Sequence, residues 1–275
     1  MRGEIVSSKI NTVRLYAVVA SILIIVGSVI MYNSFSSSSG TGSGPQSSVD
    51  ASPVSVMSPQ WSGYVTMSNL ILRESEVTAV SGSWTVPPVE PTPDDVYSSV
   101  WVGIGGYGEK SLIQTGTAQQ SVKGVASYYA WYELLPNRAV RLENFTVKPG
   151  HEISASVKLA DGDKNIWTIE INDLTQGSSF LRNVTYLSSR LSAEWIVEAP
   201  SLRGNITNLA NFGTVTFSDC SATIGNSTGT ASTFLGYQLV MNDSQDVQLV
   251  DVSPFNAEGS GFTVTYSKPV ANETS

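Results

Sequence analysis

From residue 77 onward, apolar and polar positions alternate in short runs separated by turn residues. Period two is the mark of strands with one dry and one wet face. Runs at 77–86, 98–105, 111–117, 126–135, 141–147, 152–160, 165–172, 180–187, 192–198, 212–224, 234–241, 246–252 and 261–267 predict strands. The clearest sets Trp167, Ile169 and Ile171 against Thr168, Glu170 and Asn172. KPGH at 148–151 and DGD at 161–163 predict turns, with His151 exposed in the first. No helical period follows residue 33. Many strands at near-regular spacing predict an all-β antiparallel sandwich or barrel over 58–275.

The N-terminal part follows another pattern. LYAVVASILIIVGSVIMY at 15–32 carries no charge and spans about 27 Å as a helix, enough to cross a bilayer. Arg2, Lys9 and Arg14 against the single Glu4 predict a cytoplasmic 1–14 and an exterior remainder. The apolar run is longer than the core of an ordinary signal peptide, and Met31, Tyr32 and Asn33 make a poor cleavage site. An uncleaved transmembrane anchor is expected; a cleaved one leaves the domain secreted. Residues 33–57 are rich in Ser and Gly and predict a flexible tether.

Composition narrows the chemistry. The net charge of −8 argues against nucleic acid as a partner and is compatible with an acidic habitat. With one Cys (Cys220) and one His (His151), the chain can form no internal disulfide, and a metal centre is not expected. No cofactor fingerprint appears, and a monomer is expected. GNSTG at 225–229 has the spacing of a nucleophile elbow but no helix after it, which predicts a loop. Sequons at Asn144, Asn183, Asn205, Asn226, Asn242 and Asn272 all follow the anchor, as an exterior domain requires. Carboxylates, amides and aromatics remain for catalysis.

Three stretches carry such groups. WVGIGGYGEKSLIQTG at 101–116 reads as two strands, the first with a nearly bare glycine face around Trp101, the second with Gln114 in an apolar run. YYAWYELLP at 128–136 puts Tyr129, Trp131 and Glu133 on one face, either a binding floor or a packed strand with a wet carboxylate. AEWIVEAP at 193–200 ends on Glu198, which is either solvated or partly desolvated with a raised pKa.

Together these stretches resemble the glutamic peptidases, or eqolisins. QWSG at 60–63, SWTVP at 83–87, WVGIG at 101–105, LIQTG at 112–116, YAWYE at 129–133, AEWIVE at 193–198 and FGTVTF at 212–217 follow the family order. The resemblance implies a sandwich of two bent antiparallel sheets, of the concanavalin-like or jelly-roll-like kind, with a substrate cleft. It implies an acid endopeptidase acting on polypeptides, with Gln114 and Glu198 as the catalytic dyad and Trp61, Trp101 and Glu133 lining the cleft. In such a dyad the Glu takes and returns protons while the Gln holds the water and stabilises the oxyanion. Gly105 stands where the family commonly has Asp, and Leu134 and Leu135 replace an aromatic pair. The competing expectation is a non-catalytic sandwich that binds glycan or peptide in the same cleft. Gln114 and Glu198 on opposite faces would exclude the peptidase.

Overall fold

The computed structural model describes residues 53–68 and 76–267. The expected anchor at 15–32, the tether up to residue 52 and Asn272 lie outside the described residues. Among the described residues no helix is long and apolar enough to cross a membrane.

The regular structure of the described chain is almost entirely strand. In order they are β1 (Val54–Ser58), β2 (Trp61–Met67), β3 (Val77–Thr85), β4 (Val96–Gly105), β5 (Leu112–Val122) and β6 (Val125–Leu134). Then come β7 (Val140–Arg141), β8 (Glu152–Asp161), β9 (Ile166–Asp173), β10 (Ser178–Thr185), β11 (Ser192–Glu198) and β12 (Ser201–Leu202). The last are β13 (Asn205–Ile206), β14 (Thr214–Ile224), β15 (Ser227–Thr230), β16 (Gly236–Met241), β17 (Val250–Val252) and β18 (Phe262–Tyr266). One large sheet runs β1-β16-β2-β11-β4-β5-β6-β7, and the other runs β10-β9-β8-β3-β14-β18-β17.

The sheets meet over a core that alternation selects. Val102 and Ile104 of β4 and Trp195 and Val197 of β11 pack against Trp84, Val157, Ile169 and Phe217 of the second sheet. Two indoles bridge the layers: Trp195 Nε1 donates to the Ser81 carbonyl at 2.7 Å and Trp84 Nε1 to Thr117 Oγ1 at 3.0 Å. Gly82 admits the first, since a methyl group there would come 2.9 Å from Trp195 Cδ1.

The architecture is the expected two-sheet sandwich, with several departures. β1 pairs with β16 in parallel. The chain reverses between β1 and β2, and β16 slots between them antiparallel to β2, so its pairing with the other arm must be parallel. β2 has no clear alternation because Ser62 to Val65 are buried on both sides, which erases the period. The run at 141–147 is strand only at its start; Leu142, Phe145 and Val147 are buried in a loop that plugs the core.

His151 is not an exposed turn residue. It is 6% exposed, and its Nδ1 lies 2.6 Å from Oδ2 of buried Asp173 at the end of β9. The turn residues precede it, and its ring folds back onto the sheet end. Asn144, Asn183, Asn205 and Asn226 are exposed, whereas Asn242 is partly buried and donates to the Asp246 carbonyl at 3.2 Å.

Candidate active site

The first sheet is apolar on both faces. Opposite the core, Val65, Trp101, Leu112, Trp131, Ile196 and Leu239 form a second buried cluster. Residues directly opposite in adjacent strands share a face, so the register reads off what lies there. One row runs Trp61, Glu198, Ser99, Ala118, Tyr129. The next runs Ile196, Trp101, Gly116, Trp131, and the third runs Glu194, Gly103, Gln114, Glu133. Gln114 and Glu198 therefore stand on the same face, with Trp101 in the row and on the strand between them.

The glycines serve that tryptophan. A methyl group at Gly116 would lie 2.6 Å from Trp101 Cβ, and one at Gly103 would lie 3.0 Å from its Cζ3. The bare face thus admits the protein's own indole rather than an outside group. The Trp101 Nε1 hydrogen donates to Glu198 Oε2 at 2.8 Å, and Trp61 packs edge-on against its ring with centroids 5.0 Å apart.

Glu198 sits at the end of β11, half-buried. Its Oε1 accepts from Gln60 Nε2 at 3.3 Å. Burial raises its pKa to about 7, the indole N–H groups of Trp61 and Trp101 pull it down, and the Glu133 charge adds to the rise. Trp61 Nε1 is buried and forms no hydrogen bond of good geometry, so its effect on the carboxylate is electrostatic proximity.

Gln114 is 4% exposed. Its Nε2 donates to Glu133 Oε2 at 2.8 Å, while its Oε1 is buried with no partner. One amide hydrogen and the carbonyl oxygen thus have no hydrogen-bond partner within the protein. Burial also raises Glu133, against the donors of Gln114 and the Ala139 backbone. Glu194, completely buried, has neither carboxyl oxygen hydrogen-bonded, and burial pushes it well above the ordinary value.

Gln114, Glu198, Trp61, Tyr129, Trp131 and Glu133 all line a single cleft of about 360 Å³, with Trp101 beneath. The structure thus brings these six together, whereas Trp101, expected to line the cleft, is fully buried under its floor. Gln60 and Leu202 also line the cleft and were not anticipated. Gln60 meets Glu198 from 138 positions away, a separation without any period to read. Leu202 lies on the short β12–β13 hairpin, whose exposed apolar residue looks like an ordinary turn flank. Among the described residues no group of three or more His, Cys, Asp and Glu is placed to hold a metal ion.

Known proteins resemble this chain in sequence and in fold. The chain is 30% identical to aspergillopepsin-2 of Aspergillus niger over 233 residues, covering 76% of this chain and 78% of that protein. It is 27% identical to scytalidopepsin B of Scytalidium lignicola over 243 residues, covering 82% and 85%. The crystal structure of scytalido-glutamic peptidase with a transition state analog inhibitor superposes with a TM-score of 0.64 at 22% identity, over 76% of this chain and 98% of that one. Aspergilloglutamic peptidase from Aspergillus niger superposes with a TM-score of 0.55 at 30% identity, over 62% and 99%. The model of the Peptidase A4 family matches residues 59–266, and the chain belongs to that family, the glutamic peptidases.

Proposed function

We propose that the protein is an acid-acting endopeptidase that hydrolyses polypeptides with Gln114 and Glu198 and a water, without metal or covalent intermediate. The observation that carries this is the placing of both side chains on one face, in one cleft, on either side of Trp101. Segment 15–32 would hold this domain outside a membrane.

The raised pKa alters the order of events expected from sequence. With a carboxyl at about 7, roughly one Glu198 in a hundred is ionised at pH 5. In acid the residue starts as a proton donor. It gives its proton to the scissile carbonyl oxygen as the water oxygen attacks the carbon, and the carboxylate so formed takes a proton from that water. The orphan Oε1 of Gln114 accepts from the water and its free N–H faces the developing oxygen charge. The reprotonated Glu198 then gives its proton to the nitrogen and takes one from a hydroxyl as the C–N bond breaks. Acid and amine leave, and Glu198 is again protonated.

The test is cleavage of a denatured, unstructured polypeptide between pH 2 and pH 8. Cleavage in acid, lost in both Glu198→Gln and Gln114→Ala, is expected. A folded protein that cleaves nothing at any pH would sink the proposal.

A further inference from the structure

β4 ends at Gly105 with φ +87°, and the space a side chain would fill there is taken. A methyl group on Gly105 would lie 2.7 Å from Glu109 Oε1, 2.5 Å from the Ser111 carbonyl oxygen and 3.2 Å from Ser189 Oγ. The Glu109 side chain folds back over its own turn and puts its carboxylate where residue 105 has no atoms.

Its hydrogen bonds reach beyond the turn. Oε1 accepts from the Gly106 amide at 2.9 Å, and Oε2 accepts from the Ser111 amide at 3.0 Å. The Ser111 hydroxyl lies 3.0 Å from both oxygens, and the Ser189 hydroxyl donates to Oε1 from 80 positions away. Ser111 Oγ in turn accepts the Ser189 amide at 2.8 Å. Nearby, Tyr186 Oη accepts the Leu112 amide at 2.7 Å and donates to the Leu135 carbonyl at 2.8 Å. Burial raises Glu109, but the donors of Ser189, Ser111 and Gly106 together outweigh it and hold the carboxyl below its ordinary value.

The elements tied in this way are those of the reaction. β4 carries Trp101, and β5 begins at Leu112 and carries Gln114 two residues later. The segment around Ser189 leads into β11, which ends on Glu198. We propose that Glu109 is a positioning residue for the catalytic pair, its carboxylate filling the space above Gly105 and locking the β4–β5 turn to the entrance of β11. Gln114 and Glu198 reach the cleft from strands on either side of β4, and the Glu109 contacts tie the turn that leads into one to the segment that leads into the other. The inference rests on the peptidase reading and deepens it.

Glu109→Gln in the full-length protein keeps the size and removes the charge and an acceptor. The expected result is a kcat lower by roughly ten- to a hundredfold with KM within about twofold, since misplacing reacting groups by an ångström acts on the chemical step. Hydrogen exchange at the Gly106 and Ser111 amides, read at a temperature where the variant is fully folded, should quicken. Quickened exchange with kcat within twofold of the parent would overturn the positioning role; unchanged exchange would overturn the lock itself. If Glu109→Gln does not fold, Ser189→Ala removes one donor and should move kcat and exchange in the same directions by a few-fold; no movement in either overturns the proposal. A parent protein without peptidase activity would end the peptidase reading, and the exchange measurement would still decide whether Glu109 holds the turn.

Discussion

Trp101 donates its indole hydrogen to Glu198 Oε2 at 2.8 Å although the two residues are not paired in the sheet. Glu198 stands opposite Ser99, and Trp101 stands opposite Ile196. The contact is diagonal, and Gly116 and Gly103 leave room for it, the first beside Trp101 Cβ and the second beside the ring atom Cζ3. The hydrogen bond favours the ionised carboxyl, so Trp101→Phe should raise the Glu198 pKa further, by on the order of one unit. If Glu198 enters the reaction protonated, kcat/KM falls above its pKa, and this alkaline limb should sit near 7 in the parent and higher in the variant. A pH–rate profile from pH 3 to pH 9 checks both. A limb that stays in place in Trp101→Phe would mean that another group sets it.

The two glycines under that indole should respond differently to substitution. A methyl group at Gly116 meets backbone, 2.2 Å from the Val100 carbonyl oxygen, and neither strand can yield without losing its pairing. Gly116→Ala should cost about 3 kcal/mol and abolish activity. At Gly103 the nearest atoms are Leu112 Cδ1 and Trp101 Cζ3, both at 3.0 Å, and Gln114 Cβ at 3.1 Å. These side chains have some freedom, so Gly103→Ala should fold with a loss of about 1 kcal/mol. It should still lower kcat, because the atoms that move belong to Trp101 and Gln114. Thermal unfolding and turnover of the two variants, measured together, separate the effects.

Which parts were legible in the sequence follows from where periodicity survives burial. β9 alternates cleanly because one face is core and the other solvent, and its span was read almost to the residue. β2 has no legible period because both of its faces are covered, so polar and apolar positions are buried alike. Gln114 interrupts an apolar run and Glu198 ends one, but each pattern alone also fits an ordinary strand residue, and it is the family resemblance that pairs them. The Gln60 and Glu109 contacts were invisible. A polar residue at a strand start or in a turn is unremarkable, and only the fold brings Gln60 to Glu198 and Glu109 to Ser189. His151 is hidden on the same ground: its turn neighbours predict exposure, while its ring packs inward onto Asp173.

That pair yields a control far from the cleft. Asp173 is 1% exposed, and its Oδ1 accepts the Thr175 and Gln176 amides, leaving Oδ2 to the His151 ring. His151→Ala leaves one oxygen of a buried carboxylate without its partner and should cost about 3 kcal/mol. For a domain of this size that corresponds to a Tm lower by roughly 6–12 °C. The pair lies at the ends of β8 and β9 and shares no residue with the cleft, so kcat per folded molecule should be unchanged. Calorimetry with turnover at a temperature where both proteins are folded checks the two expectations. A fall in kcat without a fall in Tm would contradict the structural role.

The buried carboxyls set how stability varies with pH. Burial raises Glu194, Glu198 and Glu133 above the ordinary carboxyl value. A carboxyl whose pKa is higher folded than unfolded binds its proton more tightly in the native state, so it favours folding while protonated in both states. That stability is complete below the unfolded value, near 4.5, and for Glu198 it is lost as pH rises to about 7. Glu109 works in the opposite sense: held below its ordinary value, it loses its contribution only as pH falls. Three raised groups against one lowered group predict a Tm that declines from pH 4 to pH 7. Glu194 should dominate the decline, because neither of its oxygens has a partner and no solvent reaches it. Glu194→Gln, which cannot ionise, should flatten the curve most between pH 5 and pH 7 while leaving Tm near pH 4 little altered. Thermal scans of parent and variant across that range decide the matter, and a parent that is more stable at pH 7 than at pH 4 would show that these carboxyls do not control the fold's response to pH.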